Sequence, residues 1–262
     1  MFILGFLKIF SDLFSRYVNA FEKKVDKFFK HVKSTDSISG IRARLLELMQ
    51  ENLIVTNVWL EKKYKGYKYL TKHVRRKMYH DVNKIVTKFE LFQTSFKTSI
   101  EEIKSLTKAK GLTFPNGNED KLLYMASIMA FLEPEKYYHY IKTASFGKLL
   151  RDPDQEKLEG DCNQIVTLYI YLFSLKFSIE ELQIKLLPEH VCLHFRGIDI
   201  EATNATFQNY QNDEGVLPVT EIIATNLLDL TDFREEVQKI EPQVMVKSAQ
   251  LAFAVSSLKS LV

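Results

Sequence analysis

Proline and glycine are scarce, with 6 and 9 in 262 residues. That is too few turn formers for a turn-rich β fold, and it favours long helices. The 2 cysteines make no disulfide framework. The simplest inference is a reducing compartment, in which a special cysteine is reactive rather than structural. No run approaches the ~20 apolar residues needed to span a bilayer. The opening stretch Met1 to Phe10 is very apolar. It has no basic region ahead of it and no small-residue cleavage site, so a secretory signal peptide is rejected. The expected location is the cytoplasm, with a peripheral membrane contact as the addition to consider.

Hydrophobic residues make up 46% and charged residues 26%, a globular balance. The net charge of +3 hides an asymmetry. Residues 1–110 hold 23 Lys+Arg against 11 Asp+Glu, a net of +12. Residues 111–262 hold 13 against 22, a net of −9. A basic half and an acidic half suggest two regions, which can also attract each other and pack.

From Phe6 to Val32 the apolar residues fall at helical spacing, with Lys23, Lys24, Lys27, Lys30 and Lys33 mostly off that stripe. This predicts an amphipathic helix with a basic face. The plain reading docks the Phe stripe on the core. The sharper one lays residues 1–33 on an anionic membrane surface. Ser37 or Ser39 is placed to cap the next helix. Two or three long helices follow to Leu106, with a break near Lys65-Gly66, and a short helix starts at Thr98-Ser99. The run Lys62 to Lys77 interleaves basic residues with Tyr64, Tyr67 and Tyr69. No nucleic-acid-binding motif accompanies it, so a solvated helix face with half-buried tyrosines is preferred and a nucleic-acid partner is disfavoured.

Asn118-Glu119-Asp120 begins another helix, which ends at Glu133-Pro134. His139 lies among tyrosines and is read as structural. After a polar loop from Arg151 to Glu159 comes Gly160-Asp161-Cys162, just ahead of an apolar run that predicts a buried helix. A cysteine in the first turn faces the positive end of the helix dipole and unpaired N–H groups. Such a site favours a thiolate and offers donors to an oxyanion. Gly160 would leave room there for a substrate backbone. Asn163 and Gln164 are candidates for a further oxyanion donor or for caps. Gln183–Leu187, Glu189–Phe195 and Ile198–Ala202 predict three strands, the last two joined by a two-residue turn, Arg196-Gly197. Taken literally, that turn pairs His194 with Asp199 and Leu193 with Ile200. Alternation then sets His190, Cys192 and His194 on one face with Asp199, Glu201 and Thr203. Glu201 lies diagonal to His190, within reach for an imidazole–carboxylate bond. Base and orienting acid are thus in hand, and Cys162 is the nucleophile to bring to them. His194 with Asp199 is the second choice. His190-x-Cys192-x-His194 is also a thinkable zinc set, but no fourth ligand is signalled.

A Gly-Asp-Cys that opens an apolar helix, then a His on a strand, then an acid ahead of a Thr on the next strand, resembles the transglutaminase-like superfamily over Gly160 to Asn204. The resemblance implies a papain-like fold, with a cysteine helix packed on an antiparallel sheet. It implies that Cys162 is the nucleophile, His190 the base and Glu201 the acid. Ile200-Glu201-Ala202-Thr203 stands where the family usually has Asp-Pro-Thr, and Cys192 where an aromatic residue is common. Leu187-Pro188-Glu189-His190 resembles the Pro-Gly-His of a bacterial subgroup.

Ala205 to Pro218 is expected to be a loop. Thr220-Glu221 starts a helix, Thr231-Asp232 is placed to cap another, and Glu241-Pro242 starts a last one. The whole is an α+β chain: a basic helical region at 1–110, a transglutaminase-like core at 111–235, and a C-terminal helix at 236–262. The expected activity is acyl transfer or hydrolysis on an amide of a protein or peptide substrate, through a thioester, with no cofactor and no metal. The competing class is a non-catalytic interaction protein that uses its basic helices.

Overall fold

The computed structural model describes residues 15–33, 35–143, 145–211, 215–229 and 241–256. Helices come first. α1 (Ala20–His31) is capped by Asn19, whose side chain accepts from the Glu22 N–H. Residues 15–19 are not helical, so the helix expected from Phe6 starts at Ala20, and Phe6 to Phe14 lie outside the described residues. Val25, Phe28 and Phe29 of α1 are buried in the core. This part of the Phe stripe is spent inside the protein and does not face lipid. Among the described residues, no helix is long and apolar enough to cross a membrane.

α2 (Ile38–Leu60) is capped by Ser37 and continues into a π-helical turn, Glu61–Lys65. Gly66 ends that turn with φ 75°, a left-handed conformation that costs glycine little. α3 (Lys72–Ser95) follows Thr71 as cap. Ser99 and Glu102 form a capping box on α4 (Ile100–Ala109). In the basic run, Lys65 and Tyr67 are buried, and Tyr64 and Tyr69 pack against the core. The run is therefore not a continuous exposed face. On α3, Lys84 pairs with Asp152 and Lys88 with Asp154, so the basic and acidic halves do meet through ion pairs.

After α5 (Glu119–Phe131) the chain forms β1 (Tyr138–Tyr140), which pairs in parallel with β2 (Leu158–Gly160) and aligns Tyr140 with Gly160. α6 (Cys162–Ser174) comes next. Then an antiparallel sheet is built from β3 (Gln183–Leu187), β4 (His190–Phe195), β5 (Ile198–Glu201), β6 (Thr206–Gln208) and β7 (Val216–Pro218), in the order β6-β5-β4-β3-β7. The two edge strands fall in the stretch expected to be a loop. Each is three residues long, too short for alternation to show in sequence, and is held by its partner: Phe207 opposite Ile200, Leu217 opposite Ile184. α7 (Glu221–Leu228) and α8 (Pro242–Val255) close the described chain. The cap expected at Thr231-Asp232 lies outside the described residues.

α6 carries the core. Ile165, Val166, Leu168, Ile170 and Leu172 are all 0% exposed. It packs against α2, α5, α7 and β4. One hydrophobic cluster runs from Val25 to Val255, so all three stretches of the chain feed a single core around the cysteine helix.

A Cβ on Gly66 would stand 2.9 Å from Val244 Cγ1 of α8, at a φ of +75°. Gly66→Ala is therefore expected to lose about 1–3 kcal/mol of stability in denaturant unfolding. Adding Val244→Ala should return the steric part and leave the backbone part.

Candidate active site

The site starts from the cap of α6. Asp161 Oδ1 accepts from the N–H groups of Asn163 (3.0 Å) and Gln164 (3.5 Å). The Gln164 side chain accepts from the Asp161 N–H at 3.0 Å, which completes a capping box. This puts Cys162 at the first helical position, 7% exposed, on the positive end of the dipole. The Ile165 N–H is also taken, by Asp161 O at 2.9 Å. Of the first-turn donors, these bonds leave over the Cys162 N–H. The amides of Asn163 and Gln164 donate to Asp229 Oδ2, at 3.2 and 3.5 Å, and tie the start of α6 to the end of α7. Gly160 offers no open room either. A Cβ there would meet Ile165 Cδ1 at 3.3 Å and Leu149 Cδ1 at 3.5 Å, so what it admits is the chain's own packing.

The β4–β5 hairpin adopts the expected register: Phe195 opposite Ile198, His194 opposite Asp199, Leu193 opposite Ile200. Arg196 and Gly197 both have positive φ, 51° and 86°, as a two-residue hairpin turn requires. His190 Nε2 lies 2.7 Å from Glu201 Oε2, on the diagonal. Cys162, at the start of α6, acts first on His190: hydrogen bonding toward its sulfur, then the bond to Glu201, raises the imidazole to about 10 against the opposing pull of burial. With Nε2 committed to the carboxylate, Nδ1 is the other ring nitrogen. Burial works against the Glu201 charge, but the bonds from His190 and Thr203 outweigh it and hold the carboxyl below its ordinary range. Its donors are His190, the Thr203 N–H (3.1 Å), the Thr203 hydroxyl (2.6 Å) and the Tyr210 hydroxyl (2.9 Å).

His194 and Asp199 form a separate network. His194 Nδ1 is 2.7 Å from Asp199 Oδ1, and Nε2 accepts from the Gly197 N–H at 3.2 Å. Both ring nitrogens are engaged within the hairpin. The second-choice pair therefore exists but is not joined to Cys162. Between the two histidines, Cys192 is fully buried, and burial followed by the charges of Asp199 and Glu201 pushes its thiol up. The histidines of the thinkable zinc set thus go to different carboxylates. Among the described residues, no group of three or more His, Cys, Asp or Glu is placed to hold a metal ion. His139, read from the sequence as structural, lies 2.6 Å from Glu135 at the surface.

Four neighbours carried no signal in the sequence. Tyr140 is 44% exposed, and burial, followed by the charge at Cys162, pushes its hydroxyl to about 12, so it keeps its proton at neutral pH. Tyr210 comes from a loop. Asp229 comes from the end of α7, and Lys65, buried behind the cap, from the π-helical turn. Burial lowers Lys65, and the charges of Glu61, Asp229 and Asp161 resist it. No family model, no curated protein and no solved structure matches this chain.

Burial, then the charge of Asp229, pushes the Asp161 carboxyl to about 7. A carboxyl raised on folding holds its proton more tightly folded than unfolded. Its contribution is complete below about pH 4 and fades as pH rises to about 7. Asp161→Asn keeps an acceptor for the cap and removes the titration. The difference in unfolding free energy between wild type and variant should therefore move in the variant's favour by about 2 kcal/mol between pH 5 and pH 7. Urea melts at both pH values check this.

Proposed function

We propose that this chain is a transglutaminase-like cysteine enzyme that performs acyl transfer or hydrolysis on an amide of a protein or peptide. The observation that supports this most is the Cys162–His190–Glu201 chain of contacts, with Cys162 at a helix N-terminus and His190 Nε2 2.7 Å from Glu201 Oε2. Nucleophile bonded to base, and base bonded to an orienting acid, is the arrangement that activates a thiol.

In this mechanism His190 Nδ1 takes the thiol proton and Glu201 supports the resulting imidazolium. The thiolate attacks the amide carbonyl. The Cys162 N–H is positioned for the oxyanion. Collapse breaks the C–N bond, and His190 returns its proton to the departing amine or ammonia. A thioester on Cys162 remains. Water or an amine, deprotonated by His190, resolves it and restores the thiol. Each proton is passed between groups of the chain and substrate, so the steps call on no cofactor. Glu201 in place of the family's Asp is one methylene longer. The diagonal placement and the two bonds from Thr203 take up that length. Ala202, where the family has proline, is fully buried and accepts from the Tyr138 hydroxyl at 2.9 Å through its carbonyl.

The test is alkylation by iodoacetamide at pH 6, read by mass spectrometry, with Cys192 as internal control. Cys162 should react at least tenfold faster than Cys192. His190→Ala should remove that advantage, and His194→Gln should leave it within about twofold, because a base in contact with the thiol is worth ~10²–10⁴ in rate. Equal rates at both cysteines, unmoved by His190→Ala, would sink the enzyme reading and favour an interaction protein.

A further inference from the structure

Three groups beside the triad have no part in that chemistry: Lys185, Asp199 and Tyr210. Lys185 Nζ lies 2.9 Å from Asp199 Oδ2, with side chains 1% and 3% exposed. A buried ion pair rarely repays its desolvation and is weak as a stabilising device. This one holds a loop residue from both sides. The Tyr210 N–H donates to Asp199 Oδ2 at 2.8 Å, and the Tyr210 carbonyl accepts from Lys185 Nζ at 2.5 Å. The side chain then reaches back to the triad, where its hydroxyl donates to Glu201 Oε2 at 2.9 Å. That oxygen also receives His190, at 2.7 Å.

We propose that Tyr210 is a positioning residue of the triad: the Lys185–Asp199 pair anchors its backbone, and its hydroxyl shares Glu201 Oε2 with His190 and moderates the carboxylate's pull on the imidazole. This rests on the Cys162–His190–Glu201 reading. The argument is one of sharing. Thr203 supplies two donors to Oε1, while His190 and Tyr210 supply two to Oε2. Four donors fill the carboxylate and fix one rotamer. Two donors on one oxygen divide its charge. Without the hydroxyl, Oε2 draws harder on His190, which keeps its proton to higher pH and hands it to the leaving group less readily. The other titratable groups in this carboxylate's field are Cys162 and Tyr169 from α6, Tyr138 and Tyr140 from β1, and Cys192 from β4. Among the described residues, Tyr210 is the one that joins His190 on Oε2. The same account gives the His194–Asp199 pair a purpose, since His194 occupies the Asp199 oxygen that Tyr210 and Lys185 do not use.

The experiment is a pH titration of the full chain labelled with ¹⁵N-histidine, followed by NMR, on wild type and Tyr210→Phe. Phenylalanine keeps both backbone bonds of residue 210. The expected result is an upward move of the His190 titration, about threefold in proton affinity, with the His194 resonances unchanged. Superimposable His190 curves in a folded variant overturn the proposal. A variant-free readout guards against misfolding: in wild type, the Tyr210 ring carbon should titrate above the free-tyrosine value of about 10. Titration at that value also overturns it. The underlying reading fails in a different way, by Cys162 alkylation that His190→Ala leaves unchanged.

Discussion

The two-residue turn at Arg196–Gly197 sets what the sheet can offer the cysteine. Its positive φ angles, 51° and 86°, close the β4–β5 hairpin with no residue to spare. Strand side chains alternate with period two, so a slip of one residue would send His190 and Glu201 to opposite faces. In the register that the turn imposes, five polar or thiol side chains share one face, and two histidine–carboxylate pairs form side by side. They differ in what else they touch. His194 spends its second nitrogen on the Gly197 N–H, whereas His190 has Cys162 as the first influence on its imidazole. That difference, rather than any contrast in residue type, separates a structural pair from a candidate catalytic one.

The other half of the site depends on how α6 is mounted. Its apolar sides are sealed between α2, α5 and β4, so the helix has little freedom to slide. Its N-terminus is fixed by polar ties. Asp161 caps it, and Asn163 and Gln164 reach Asp229 at the end of α7. Lys65 is buried behind this cluster, in the field of three carboxylates. The helix that bears the cysteine is therefore tied at once to the N-terminal helices through the π-helical turn and to the C-terminal helices through α7. Both flanking regions have a physical reason to be there: they hold Cys162 against a sheet that lies between them in sequence.

Much of this was legible in the sequence because it is local. The apolar run after Cys162, the β3 boundaries and the hairpin register follow from periodicity and one turn. The diagonal from His190 to Glu201 follows from the register. What was not legible is long-range or short. β6 and β7 have three residues each and exist because partners hold them. Tyr210 and Asp229 act across the fold from loop and helix end, with nothing local to mark them. Gly160 suggested open space that Ile165 fills. Of the two roles open to Asn163 and Gln164, the cap is taken by Gln164, and their amides also reach Asp229. A side chain's partner is chosen by tertiary packing, which spacing along the chain does not encode. The Phe stripe of α1 shows the converse. Its amphipathic pattern was plain, but only the fold decided that it faces the core.

The central claim is that Cys162 is an acylatable nucleophile driven by His190. Its most direct measurement is pre-steady-state release of nitrophenol from p-nitrophenyl acetate, with intact-protein mass spectrometry of the quenched enzyme. The account predicts a burst of about one equivalent per chain. It predicts one acetyl group located on Cys162, no burst in Cys162→Ser, and turnover speeded by added amine or water activated at His190. Absence of a burst, or acetylation confined to surface lysines in wild type and variant alike, would contradict it.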